Sequence, residues 1–88
     1  MIEKSMEIQL TSGLEARPVA VLVQVTSQFA SSVYLEAEGR KVNAKSIMGM
    51  MTLGLNTGEE VKVICDGEDE EAAVENIENF LSGKMQSA

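Results

Sequence analysis

Met6-Glu7-Ile8-Gln9-Leu10-Thr11-Ser12-Gly13-Leu14-Glu15-Ala16-Arg17-Pro18-Val19 is the stretch in which the period of the chain changes. Met6, Ile8 and Leu10 alternate with Glu7 and Gln9, the pattern of a half-buried strand. Thr11, Ser12 and Gly13 break that pattern. Pro18 then suits a first helical turn, where its missing N–H has no partner to lose. Val19, Leu22, Val23 and Thr26 recur at helical spacing, so a helix is predicted from about Ala16 to Gln28. Its β-branched residues make it weak in isolation, and packing must hold it.

The same two periods continue downstream. Val33, Leu35 and Ala37 alternate, Glu38-Gly39 reads as a hairpin turn, and Arg40 to Val42 returns as a short strand. Ser46 is a candidate N-cap for a short helix from Ile47 to about Leu53. Gly54 and the turn Asn56-Thr57-Gly58 end that region. Val61, Val63 and Cys65 alternate on a further strand, broken by Asp66-Gly67. Asp69 is expected to cap a last helix, with Glu70 and Glu71 in its first turn, where the helix dipole favours acids. Ala73, Ile77, Phe80 and Leu81 form the apolar stripe of that helix, and Gly83 ends it. The order is β-α-β-β-α-β-α. An α+β domain follows, with one four-stranded mixed or antiparallel sheet covered by helices on one face. A single domain spanning residues 1–88 is expected, with a frayed tail from Lys84 to Ala88.

Composition narrows the function. The chain has 88 residues and is 44% hydrophobic, enough for a small core without disulfides or metals. No apolar run approaches the ~20 residues that span a bilayer, and the N-terminus has no basic region followed by a hydrophobic one. A cytoplasmic protein with no membrane partner is expected. The single Cys65 agrees with a reducing compartment and reads as a small core residue, not a nucleophile. Fourteen acids against seven bases give a net charge of −7, which argues against direct nucleic-acid binding. Seven acids lie between Asp66 and Glu78, whereas four of the bases are Arg17, Arg40, Lys41 and Lys45. A small basic area on an acidic chain suits a phosphate or an acidic partner surface.

There is no histidine, so no Ser-His or Cys-His pair exists, and an enzyme is not expected. The acids from Asp66 to Glu71 lack the spacing of a calcium loop, so no metal and no cofactor is expected. Two regions carry chemistry. Glu15 and Arg17 sit at the start of the first helix, where unpaired N–H groups and the helix dipole favour anions. Glu15 is either a favourable first-turn acid paired with Arg17 or a fixed anion beside that guanidinium; at neutral pH it is ionised, with a reference pKa near ~4.3. Around Ser46, Ile47, Met48 and Met51 are expected on the exposed side of a short helix whose Met50 and Leu53 reach the core. Ser46 reads as an N-cap worth ~1 kcal/mol or as a switch inside a partner surface.

The segments Gly13-Leu14-Glu15-Ala16-Arg17-Pro18 and Asn43-Ala44-Lys45-Ser46-Ile47-Met48-Gly49 together resemble the two signature regions of HPr, the small phosphocarrier of the bacterial sugar phosphotransferase system. The resemblance runs along nearly the whole chain in element order. It implies the HPr-like open-faced β-sandwich. In that family the position of Glu15 holds the phosphate-carrying histidine, so the resemblance implies a scaffold without the His phosphocarrier job. One branch, the catabolite repression HPr-like (Crh) proteins of bacilli, lacks the active histidine and keeps the serine. The resemblance to it implies phosphorylation of Ser46 by the HPr kinase/phosphorylase of Gram-positive bacteria, then a corepressor role with a LacI-type catabolite repressor protein. Arg17, Lys45, phosphorylated Ser46, Ile47, Met48 and Met51 would meet partners. Those Crh proteins usually carry glutamine where this chain has Glu15. The alternative is a divergent phosphocarrier-like protein that uses Glu15 or binds a metabolic enzyme.

Overall fold

The computed structural model describes residues 1–9, 16–53 and 58–83. The elements are β1 (Ile2–Glu7), α1 (Ala16–Ser27), β2 (Ser32–Ala37), β3 (Arg40–Asn43), α2 (Ile47–Met51), β4 (Glu60–Asp66) and α3 (Glu70–Leu81). The four strands form one sheet in the order β1-β4-β2-β3. Every neighbouring pair is antiparallel, which makes this the HPr-like α+β open-faced sandwich.

Strand alternation decides which face is covered. Val33, Leu35 and Ala37 of β2, and Val61, Val63 and Cys65 of β4, point to the helix side and are buried. Against them α1 sets Val19 and Leu22, α2 sets Met50, and α3 sets Ala73, Ile77, Phe80 and Leu81. Each large side chain buried this way contributes about 1.5–3 kcal/mol, which offsets the weak helix propensity of α1. The open face is polar and locally neutralised. Lys62 lies 3.6 Å from Glu3 and 3.8 Å from Glu36, and Lys41 Nζ stands 4.9 Å from the centre of the Tyr34 ring. Ile64 also points to this face yet is only 7% exposed, because it sits between Glu3 and Tyr34 on the flanking strands. No alternation rule would have placed it inside.

Three boundaries differ from the sequence expectation. The first strand starts at Ile2 and stops at Glu7. Ile8 is buried just beyond it, its N–H donating to the Glu59 carbonyl at 2.9 Å and its carbonyl accepting from Gly58 at 2.7 Å. Leu10, the third member of the expected alternation, lies outside the described residues, as do Thr11–Gly13, Gly54, Asn56, Thr57 and the tail from Lys84. The short helix ends at Met51, and Leu53 packs half-buried on the core. The β2–β3 turn takes positive φ at Glu38 (53°) and Gly39 (77°), the geometry of a two-residue hairpin that follows the twist of its strands.

The start of α3 departs from expectation in its chemistry. Asp69 stands at the N-cap position but makes no side-chain bond to its own helix. Its carboxylate accepts instead from the Ala30 N–H at 2.8 Å, the Ser31 N–H at 2.9 Å and the Ser31 hydroxyl. Glu70 turns back to accept from the Gly67 N–H at 3.1 Å. Gly67 presses on the same place: a Cβ there would lie 2.6 Å from the Ser31 Cα. The loop before α3 is thus a tether to the start of β2.

Candidate functional site

The site is the turn from β3 into α2. Asn43 closes it by accepting from two N–H groups: its side-chain oxygen from Lys45 at 2.8 Å and its carbonyl from Ser46 at 3.0 Å. Ala44 is fully buried, and its carbonyl accepts at 3.2 Å from the buried Thr26 hydroxyl of α1. Ser46 follows in extended conformation (φ −110°, ψ 114°), and its hydroxyl oxygen accepts from the Gly49 N–H at 3.2 Å. Side-chain oxygen accepting three residues on is the standard N-cap arrangement. Ser46 therefore sits at the head of a five-residue helix, half-buried, on a turn held to α1 from below.

Around it α2 divides sharply by exposure. Met50 is fully buried, whereas Ile47 is 47%, Met48 83% and Met51 52% exposed. These three are the large exposed hydrophobics among the described residues apart from Met1. Three such side chains on one helical turn form an exposed apolar patch. The thioethers of its two methionines are flexible.

Lys45, expected from the sequence at a partner contact, also has a partner within the fold. Its ammonium donates to the Phe29 carbonyl at 2.8 Å, reaching back to the segment after α1. That carbonyl belongs to the peptide whose N–H, on Ala30, donates to Asp69. One amide group thus has a lysine on its oxygen and a carboxylate on its nitrogen. The hydrogen bonds from Ser31 and then from Ala30 hold the Asp69 carboxyl below its ordinary value. Arg40 is also engaged, its Nη1 donating to the Thr52 carbonyl at 2.9 Å at the far end of α2. Glu15 and the side chain of Arg17 lie outside the described residues, so the first signature region contributes here only the backbone start of α1.

The remaining candidate nucleophile is withdrawn from chemistry. Cys65 is fully buried in the sheet. Burial above all, and then the Glu70 and Asp69 carboxylates, push its thiol up to about 11, so it is a core residue that stays protonated at neutral pH. Among the described residues no helix is long and apolar enough to cross a membrane. Sequence reasoning set Thr26 on the α1 stripe and Asp69 at the α3 cap but missed their contacts here, because the partners lie 18 and 38–39 residues away and leave no local signal.

Comparison with known proteins places the chain in a family. The family described as the PTS HPr component phosphorylation site matches residues 2–83. The HPr-like protein Crh of Bacillus subtilis strain 168 is 48% identical over 85 residues, covering 97% of this chain and 100% of that protein. The crystal structure of HPr-C-His from Thermoanaerobacter tengcongensis superposes with a TM-score of 0.92 at 42% identity, covering 100% of this chain and 99% of that one. The crystal structure of seleno-methionylated B. subtilis Crh, a swapping-domain dimer, gives a TM-score of 0.78 at 45% identity, covering 99% and 100%. This chain belongs to the HPr family and is an HPr-like protein similar to Crh.

Proposed function

We propose that this protein is a non-enzymatic regulator switched by phosphorylation of Ser46, and not a His phosphocarrier. In this reading an HPr kinase/phosphorylase modifies Ser46, and the modified protein acts in the cytoplasm as corepressor of a LacI-type catabolite repressor in carbon catabolite repression. One observation carries it: in a chain without histidine, Ser46 opens a helix whose three exposed apolar side chains surround it. Phosphate at that position adds roughly −1.5 to −2 charge at a helix N-terminus, where the backbone N–H groups stabilise it. The switch then changes the surface and leaves the fold intact. Ile47, Met48 and Met51 supply the apolar part of the docking face, and Arg17 its cation. Lys45 supports the turn from behind.

Intact mass after incubation with ATP and the kinase tests the first half. One added phosphate on the wild type and none on Ser46→Ala is expected; no phosphate on either sinks the switch. Repressor binding tests the second half and must depend on that phosphate. Incubation with phosphoenolpyruvate and Enzyme I is expected to leave the chain unmodified. Incorporation that vanishes in Glu15→Gln would establish the carrier alternative instead. A swapped dimer, like the swapping-domain dimer of B. subtilis Crh, is also open to this chain by strand exchange, because β1 is an edge strand paired in the sheet with β4 alone. Light scattering across a dilution series reads it as a dimer that dissociates slowly.

A further inference from the structure

We propose that Met48 and Met51 are sites of oxidation by hydroperoxides, and that their oxidation closes the docking face beside Ser46. The proposal rests on the reading of that face given above and adds a second covalent input to it. The methionines of the described residues fall into two groups. Met48 is 83% and Met51 52% exposed, whereas Met50 between them is 0% and Met6 is 8% exposed. Met1 is also exposed, but it lies before β1 with its amino group 3.1 Å from Glu70, away from α2. One helical turn therefore carries thioethers on both its wet and its dry side.

The chemistry needs only access. The sulfur lone pair attacks the terminal oxygen of the hydroperoxide. An S–O bond forms as the O–O bond breaks, and the proton of the transferred hydroxyl passes to the departing alkoxide. Sulfur is oxidised by two electrons, and the peroxide is reduced to an alcohol, or to water when it is hydrogen peroxide. No side chain has to act as acid or base, so the step suits a site without histidine. Within α2, reaction order should follow exposure, Met48 before Met51, with Met50 and also Met6 protected by the fold; the exposed Met1 reacts as well, away from this face.

The product matters because of where it sits. Two of the three exposed apolar side chains on this face are thioethers, and a sulfoxide replaces each with a strong dipole. Burying that dipole against an apolar partner without a hydrogen bond weakens binding by about tenfold or more. Ile47 cannot be oxidised, so the loss is graded and not total. Methionine sulfoxide reductases reverse it. Phosphate on Ser46 opens docking, and oxygen on the neighbouring sulfurs closes it.

The test uses the full chain, phosphorylated on Ser46 and treated with dilute hydrogen peroxide. Peptide mapping should place oxygen within α2 on Met48, then Met51, with Met50 and also Met6 unmodified; oxygen on Met1 leaves docking unchanged, as the double variant reads. Repressor binding should fall about tenfold or more and return after reductase treatment. The binding of the variant Met48→Leu/Met51→Leu, measured against its own untreated level, should not fall on peroxide treatment. Oxidation of Met50 together with Met48, or undiminished binding by oxidised wild type, overturns the proposal. If the untreated phosphoprotein does not bind the repressor, the functional reading fails and the docking claim falls with it. The mapping result stands apart from that outcome.

Discussion

At the start of α2, Ser46 accepts from the Gly49 N–H of its own helix, and Ile47, Met48 and Met51 after it stay in solvent. At the start of α3, Asp69 occupies the same position, but its carboxylate holds Ala30 and Ser31 at the head of β2. Both residues are good N-cap types, and both precede a helix. One satisfies its helix locally; the other ties two distant parts of the fold together. A local cap leaves its surroundings free to change, so a modification there can alter the surface without unfolding the domain. A cap residue used as a tether is already committed, and altering it loosens the structure. The phosphorylation proposed for Ser46 falls at the first kind of terminus.

The contrast predicts an order of effects on stability. Gly67→Ala should be the most damaging, because its Cβ would lie 2.6 Å from the Ser31 Cα, a backbone atom that cannot turn away. A loss of roughly 1–3 kcal/mol in chemical denaturation is expected, and a neutral result would mean the tether is looser than described. Asp69→Ala comes next, lowering the melting temperature by several degrees. Its pH dependence has a definite sign. The folded Asp69 carboxyl lies below the ordinary 3.8, so its stabilisation is fully present above that value and is lost as pH falls through the lower folded value. Asp69→Asn should flatten the acid limb of the stability curve, and an unchanged limb would remove the carboxylate from this role.

Ser46→Ala should cost about 1 kcal/mol, the ordinary value of an N-cap, while abolishing the proposed phosphorylation. Gly49→Ala should be smallest and of opposite sign. A Cβ there meets Ser46 Oγ at 3.5 Å and Val42 Cβ at 3.7 Å, which are ordinary contacts, so the helix gains about 0.5–1 kcal/mol. The new methyl also stands against the hydroxyl, and kinase assays should show slower phosphorylation of a more stable protein. Stability and phosphorylation would then move in opposite directions at this terminus.

Much of this was legible in the chain. The α3 stripe of Ala73, Ile77, Phe80 and Leu81 is buried as its spacing predicts. The Glu38-Gly39 turn, the Ser46 cap and the exposure of Ile47, Met48 and Met51 follow from local chemistry. β1 was misjudged because Ile2 to Ser5 lie on an edge strand and carry no buried alternation to detect. Ile64 was missed because neighbouring strands cover it, which is a property of register and not of its own strand. Asp69 and Lys45 were assigned by what their residue types usually do. Their partners, the two ends of the Phe29–Ala30 peptide, are set by the tertiary fold.

That peptide is an amide held between opposite charges. A cation on its oxygen and an anion on its N–H both favour the charge-separated resonance form, so each contact strengthens the other. Lys45 and Asp69, 24 positions apart in sequence by the difference of their numbers, are for this reason energetically one unit. Removing both should cost less than the sum of the two single losses, and a double-mutant cycle measures the difference. The residue beside the serine thus shares its energy with the start of the last helix, through a group that no side-chain inventory counts.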